Sequence, residues 1–598
     1  MRTFELPPLV VSSENSNITD LLVDRAKKTP SLTLFAQETD SGYSSISAVE
    51  FLAEVQQVAK GLIASGIQQS QAVAIMSRTR YEWTVLDFAI WFAGAVSVPV
   101  YETSSAAQME WILSNSDSVA LFAENEDHAE RFEQIKAAVP LVRLVMRFDQ
   151  DCLTELKKRG KDISDEALEQ RRSIAKIHDL ATIIYTSGTT GKPKGCELTH
   201  RGFMELCKNA ILDLDDVIIE GRSTVLFLPL AHVFARFVEV LCVAGGIRVT
   251  HQPDARNVAK SLESFKPEFL LAVPRVFEKV YNSAEQKAEA GGKGDIFRKA
   301  ANVAVAWSES LDNGGPSFKL KLQHFVFDKL VYKKIRAAMG GHLKYAISGG
   351  APLGTRLGHF FRALGVVVLE GYGLTETTAP ATISRTNSIK IGKVGTPLPG
   401  TGVRIADDGE IWLRGHNIMR GYWRNEAASA EVLKDGWFAT GDIGELDEDG
   451  MLAITGRKKE LLVTAGGKNV APAVLEDPLR ANPLIGQVVV IGDAKPFIGA
   501  IVSLDSEMLP IWLANHGGDN TMTVAQASKS PIVVAAIQNA IDEANKLVSR
   551  AESIRKFVII DSELTEASGH LTPSLKLKRS VVIKDFASAV DEIYGAND

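Results

Sequence analysis

Cysteine is scarce in this sequence. Its 598 residues hold four, Cys152, Cys196, Cys207 and Cys242, and no two form a CxxC pair. That argues against a disulfide framework and a cysteine zinc site, and scattered thiols fit a reducing compartment. Long apolar runs are missing as well. The longest, Phe88 to Tyr101, is too short to span a bilayer and carries Gly94 and Pro99. The first eight residues, Met1 to Pro8, lack the basic-then-apolar pattern of a signal peptide. The expected location is therefore cytoplasmic, soluble or at most peripheral at the inner face of the membrane. Positive charge is not in excess: 66 Lys+Arg against 73 Asp+Glu leave a formal net charge of −7, so no nucleic-acid partner is expected. There is no repeat of fixed period and no long low-complexity tract.

Hydrophobic residues make up 45% and charged residues 23%, ordinary values for a globular chain. The length calls for more than one domain. Asn17 to Lys28 reads as an amphipathic helix ended by Pro30, Ser31 to Gln37 as a strand, Ser45 to Ser65 as a second helix, and Val73 to Met76 as a buried strand. This alternation continues past residue 380 and predicts layered α/β architecture with largely parallel sheets. The character changes near residue 403. Asp407-Asp408-Gly409 and Glu448-Asp449-Gly450 each lie between short strand patterns, so two hairpins and a small barrel-like sheet are expected. Further on, Glu460 to Val463 and Gln487 to Leu504 read as strands. The expected division is a large α/β domain over residues 1–458, with a β-rich subdomain at about 400–458, and a small mobile α/β domain over 459–598.

The strongest local signal follows the β-branched strand Ala181 to Tyr185. Thr186-Ser187-Gly188-Thr189-Thr190-Gly191-Lys192-Pro193-Lys194-Gly195 packs three glycines, four hydroxyls and two lysines into ten residues. Glycine lets backbone N–H groups turn toward an anion, hydroxyls donate to phosphate oxygens, and lysine adds a point charge. Such a loop suits a triphosphate. It is not a Walker A loop, because Gly188 and Gly191 are too close and Pro193 follows Lys192.

This loop resembles the signature of the adenylate-forming enzymes: acyl- and aryl-CoA synthetases, beetle luciferases and peptide-synthetase adenylation domains. The resemblance covers nearly the whole chain, with the motifs in the family's order. It implies that the turn Ser348-Gly349-Gly350-Ala351-Pro352 borders adenine. Glu370-Gly371-Tyr372-Gly373-Leu374-Thr375-Glu376 matches the family's YGxTE element. Tyr372 then offers a face to adenine, Thr375 contacts phosphate, and Glu376 with Thr186 holds Mg2+, an ion that favours hard oxygen donors. Asp442, in Thr440-Gly441-Asp442, is the expected ribose ligand, since a carboxylate accepts two hydrogen bonds from a diol. By resemblance Arg457 contacts ribose and phosphate, and Lys459 is the hinge between domains. Near the C-terminus, Leu571-Thr572-Pro573-Ser574-Leu575-Lys576-Leu577-Lys578 carries the expected catalytic lysine. Lys576 aligns best, Lys578 is the competing assignment, and Leu575 holds the place of the family's usual glycine. A cation there offsets the repulsion between a carboxylate and a triphosphate.

The acyl substrate is read from two further elements. Leu228-Pro229-Leu230-Ala231-His232-Val233-Phe234 resembles the motif beside the acyl carboxylate, so His232 is a candidate for orienting substrate; a packed histidine is the plainer alternative. Arg236 stands where some long-chain enzymes carry a gating tryptophan, which argues against a gate of that kind. Val273 to Tyr281 looks like a long-chain element, followed by a helix-rich insertion at about 281–344. Within it, Phe327, Leu330, Val331 and Ile335 recur at helical spacing among Lys329, Lys333, Lys334 and Arg336. The weightier reading is a helix packed on the core with a solvated face; the other is peripheral contact with an anionic membrane. A homodimer is kept open. Gly467, in Ala465-Gly466-Gly467-Lys468, would face the pantetheine path of CoA. The expected activity is that of a long-chain fatty-acid–CoA ligase using ATP, CoA and Mg2+. The alternatives are a fatty acyl-AMP ligase that loads a carrier protein and a nucleotide-binding protein with an inactive site.

Overall fold

The computed structural model describes residues 2–186, 192–572 and 577–595. Its centre is a six-stranded sheet in the order Leu144–Arg147, Ala120–Ala123, Ala72–Met76, Val96–Val100, Leu180–Thr186, Lys194–Thr199. All neighbours are parallel except the last pair, where the strand before the phosphate loop meets the strand after it antiparallel. Burial on both faces explains the long apolar run. Helix Tyr81–Phe92 is buried at every residue but Glu82, and all five residues of strand Val96–Val100 are buried.

A second, five-stranded sheet runs Phe269–Ala272, Tyr345–Ser348, Val367–Leu374, Ala379–Ile383, Thr396–Pro397. Its first three strands are parallel and the rest antiparallel. Helices Pro274–Ala290, Gly294–Asp312, Phe318–Phe327 and Lys333–Ala338 fill the insertion between its first two strands. A four-stranded sheet joins Ser223–Leu226, Arg248–His251, Thr33–Thr39 and Gly42–Ser47.

The barrel-like unit is an antiparallel half-barrel. Both predicted hairpins are present, Thr401–Ile405 with Glu410–Gly415 and Trp437–Leu446 with Leu452–Arg457. Its edge is completed by Thr3–Glu5, which pairs with Thr401–Ile405 from the far end of the chain. Further along, Ile485–Ile491, Ile498–Leu504 and Ile554–Ile559 form a separate three-stranded sheet. Among the described residues, no apolar cluster joins side chains up to Ile454 with those from Leu462 onward. Polar contacts do cross. Arg275 pairs with Asp505, and Lys279 Nζ lies 2.7 Å from a Glu507 carboxylate oxygen.

Two expected elements are shorter than predicted. The second helix runs Ala48–Ala64, while Ser45 to Ser47 closes a strand. Ser47 and Glu50 form a reciprocal capping box, which fixes the start. Within 460–463 only Leu462–Val463 pairs as strand, because Lys458–Glu460 makes a 3-10 turn.

Candidate active site

The strand Leu180–Thr186 delivers Thr186 to the start of the candidate phosphate-binding segment, in register with Lys194. Ser187, Gly188, Thr189, Thr190 and Gly191 lie outside the described residues. The loop's two shoulders are held from outside. Tyr185 donates to Asn115 Oδ1 at 2.7 Å, and Trp111 Nε1 donates to the Pro193 carbonyl at 2.8 Å. Lys192 Nζ sits 4.3 Å over the Trp111 ring and Lys194 Nζ 4.8 Å over the Tyr422 ring. Neither lysine forms an ion pair with a carboxylate among the described residues.

Glu376 lies in the single turn Thr375–Thr377 that follows strand Val367–Leu374. The Tyr422 hydroxyl donates to its Oε1 at 2.9 Å, and its backbone carbonyl accepts from Met419 at 2.8 Å. Tyr422 bridges in turn to Cys196, on the strand beside Thr186. Thr186 and Glu376 therefore flank one small region, with Cys196 and Tyr422 between them. Burial pushes the Cys196 thiol well up, and the Glu376 carboxylate pushes the same way, so this sulfur stays protonated. No cluster of three or more His, Cys, Asp or Glu side chains that could hold a metal is present among the described residues. The donor set that is present, a carboxylate steadied by a phenol and a nearby threonine hydroxyl, fits Mg2+, which keeps waters and shares phosphate oxygens.

A second cluster faces the half-barrel. Asp442 is in register with Arg457 across the hairpin, and Arg457 Nε lies 3.0 Å from Asp442 Oδ1. Tyr372 donates its hydroxyl to Asp442 Oδ2 at 2.7 Å. Burial drives the Tyr372 phenol up, and the Asp442 charge adds to it, so it acts as a hydrogen-bond donor throughout the neutral range. The Tyr372 ring packs with Val403, Ile411 and Leu413, leaving little of its face open. The hydrogen bond to Asp442 is a role that the sequence did not announce.

The glycines mark close approaches. At Gly373 a Cβ would lie 2.1 Å from the Ala379 carbonyl oxygen. At Gly349 it would meet the Phe234 ring at 3.1 Å, which brings the start of helix Val233–Gly245 against the turn Ser348 to Pro352. Gly350 and Ala351 are exposed beside it. Beneath this turn the buried Glu370 carboxylate accepts from Leu353 N–H at 3.2 Å, and burial pushes its carboxyl up to about 7. His232 caps that helix, its Nδ1 accepting from Phe234 N–H at 3.2 Å. Part of its function is therefore structural.

Arg236 provides no gate. It is fully buried, donates to both Asp87 oxygens at 2.8 and 2.6 Å and to Thr182 at 2.6 Å, and lies among the Trp83, Trp91 and Phe203 rings. The remaining candidates lie toward the C-terminus. Lys459 is exposed in its single turn. Gly467 has φ +76, with no atom within 4 Å of its Cβ position. Lys576 lies outside the described residues; Leu571 and Leu577 on either side form an antiparallel bridge. Lys578 donates its backbone N–H to the His570 carbonyl at 2.8 Å and leads into helix Arg579–Asp585. Leu330 is exposed, whereas Phe327 and Val331 are half-buried against the insertion's core and Ile335 is buried in it.

Comparisons to known proteins bear on the family of the chain as a whole. The AMP-binding enzyme family matches residues 22–423, and the AMP-binding enzyme C-terminal domain matches residues 459–598. The chain belongs to the AMP-binding enzyme family. It is 46% identical over 597 residues to the long-chain-fatty-acid–CoA ligase FadD15 of Mycobacterium bovis, covering 99% of this chain and 100% of that one. It is 29% identical over 636 residues to the long-chain-fatty-acid–CoA ligase ACSBG2 of Xenopus laevis, covering 98% and 84%. The fold matches the A domain of a carboxylic acid reductase from Segniliparus rugosus, solved with AMP and a co-purified carboxylic acid, at TM-score 0.75 and 19% identity, covering 98% of this chain and 95% of that one.

Proposed function

We propose that this protein is an AMP-forming long-chain fatty-acid–CoA ligase. The observation that carries the reading is the end-to-end match, at 46% identity, to a relative of that name. The site geometry supplies the chemistry. The fatty carboxylate attacks the α-phosphorus of ATP, pyrophosphate leaves, and acyl-AMP forms. The CoA thiol then attacks the acyl carbonyl and AMP departs. No enzyme thiol is needed, and all four cysteines are buried.

The family resemblance implies the residue roles. Thr186, Ser187, Gly188, Thr189, Thr190, Gly191, Lys192 and Lys194 would cradle the phosphates, with Thr375 beside them. Thr186 and Glu376 would hold Mg2+, which supplies charge neutralisation on the phosphates when bound. Gly349, Gly350 and Ala351 would border adenine, with Tyr372 at its edge. Asp442, set by Tyr372 and Arg457, would accept the ribose hydroxyls. Lys576, or Lys578 in its place, would offset the repulsion between the two anionic substrates. The gap between apolar clusters at 454–462 supports a boundary near residue 458. By the family resemblance, the smaller domain would turn about Lys459 and bring Gly467 to the pantetheine path.

One assay tests the reading: CoA-thioester release across acids from acetate through palmitate to lignocerate, with benzoate alongside. The expected result is a maximum among the long chains. Preference for acetate or benzoate overturns the assignment, and adenylate without CoA thioester would favour the carrier-loading alternative.

A further inference from the structure

The insertion between Ala272 and Tyr345 exposes an apolar face. Helix Phe318–Phe327 has the sequence FKLKLQHFVF, yet none of its ten residues is buried. An amphipathic helix normally places its apolar stripe on the core. Here the inner side is held chiefly by His324, whose ring stacks on Trp307 at 4.1 Å and whose Nε2 bonds the Ala363 carbonyl at 2.8 Å. A π-helical turn, Asp328–Tyr332, then turns Tyr332 into the core, and Ile335 follows it. What remains outside is a stripe: Phe318 is 84% exposed, Leu322 57%, Phe325 58%, Val326 43% and Leu330 52%. These five lie within thirteen residues, and among the described residues Phe318 and Phe325 are the only phenylalanines in the set of large exposed hydrophobics. Such a concentration marks an interaction surface.

Charge says which surface. Lys319, Lys321, Lys329, Lys333 and Lys334 are exposed along the stripe and form no ion pair with any described residue. The single acid, Asp328, is taken by Arg336 at 2.6 Å. Residues 318–338 thus carry six cations and one anion in a chain whose net charge is −7. A second copy seated on this face about a two-fold axis would bring unpaired lysines against lysines. An anionic lipid surface accepts both features, the rings at the acyl boundary and the lysines among the headgroups.

We propose that Phe318–Leu330 is an interfacial membrane-docking face for anionic bilayers. Its benefit to the enzyme, drawing a bilayer-dissolved acyl substrate, rests on the ligase reading; the docking itself does not. The inner side of this helix packs on the cluster that contains Phe277, in the helix that follows Val273, and Val273 is 3.9 Å from the Cβ position of Gly350. The docking face and the nucleotide turn are therefore connected by one packed unit.

The test is flotation of the full-length protein with vesicles of phosphatidylcholine alone or of equimolar phosphatidylcholine and phosphatidylglycerol. Binding is expected on the anionic vesicles and should weaken with salt. The triple variant Phe318→Ser, Leu322→Ser, Phe325→Ser should lose about tenfold or more in binding. Lys329→Glu with Lys333→Glu should lose about fivefold per position on anionic vesicles only. All sites are exposed, so circular dichroism and turnover of dissolved octanoate should match the wild type and show that the variants fold. No binding by the wild type, or equal binding by the triple variant, overturns the proposal. So does light scattering that shows a wild-type dimer made monomeric by the triple variant without any vesicle binding. Flotation needs no turnover, so docking can fail with ligase activity intact, and ligase activity can fail with docking intact.

Discussion

Removing one oxygen, by Tyr422→Phe, tests the proposed metal-binding carboxylate. The Tyr422 hydroxyl is 2.9 Å from Glu376 Oε1, the one hydrogen bond to that carboxylate among the described residues. The ring that remains in phenylalanine still lies under Lys194 Nζ, 4.8 Å from its centroid in the wild type, so Lys194 keeps its seat. The variant therefore isolates the hydrogen bond. A bond to a charged acceptor contributes about 1.5–3 kcal/mol when buried. Glu376 is only half-buried, so about 1–2 kcal/mol is the expected share, or roughly fivefold to thirtyfold. The loss should fall on Mg2+ dependence. In fatty-acid-dependent ATP–pyrophosphate exchange, half-saturation by Mg2+ should rise by that factor while the KM for fatty acid stays put. Tyr422→Leu should lose more, because Lys194 is released as well. An unchanged Mg2+ titration in Tyr422→Phe, with Glu376→Ala strongly impaired, would refute the idea that Tyr422 sets the carboxylate.

Asp442→Asn keeps the shape of the ribose candidate but leaves Arg457 without its carboxylate, so the KM for ATP should rise roughly tenfold to hundredfold while melting temperature moves little. Glu370→Gln tests burial. The carboxyl is raised from 4.5 to about 7 in the fold, so the folded state holds a proton that the unfolded chain has released across that window. Stability should fall as pH rises from 4.5 to about 7, by about 3 kcal/mol in total, and denaturation of the glutamine variant should show a flatter profile and greater stability above that range. The glycines predict contrasting outcomes. Gly373→Ala sets a Cβ 2.1 Å from a backbone oxygen and should lower the melting temperature and abolish exchange. Gly467→Ala meets no atom within 4 Å and bears only backbone strain of about 1 kcal/mol, so it should retain exchange and lose thioester formation.

The parts of the candidate site that stand out in the sequence do so for local reasons. The candidate phosphate loop is conspicuous because glycines, hydroxyls and lysines are adjacent in sequence. Asp442 and Arg457 face each other because the turn Glu448-Asp449-Gly450 fixes the register of their hairpin. Tyr422 was invisible. It meets Glu376 from 46 residues away through a chain path that has no period and no motif. Trp111 and Asn115, which hold the loop's shoulders, approach from a neighbouring helix by tertiary packing alone. Thr3–Glu5 has too few residues to show an alternating pattern, and its pairing partner lies about four hundred residues on. The insertion shows the limit of periodicity in another way. Helical spacing grouped Phe327, Leu330, Val331 and Ile335, but the π turn adds a residue and separates Leu330 from the rest. The start of the helix at Ala48 was legible in principle, since Ser47-x-x-Glu50 is a capping signature.

The most direct measurement is ATP–pyrophosphate exchange with palmitate, for the wild type, for Lys576→Ala and for Lys578→Ala. The account predicts exchange that requires the fatty acid, AMP and palmitoyl-CoA in equal amounts once CoA is added, and loss of exchange when the catalytic lysine of the two is removed. Exchange without fatty acid, ADP in place of AMP, or full exchange in Lys576→Ala and in Lys578→Ala alike would contradict it.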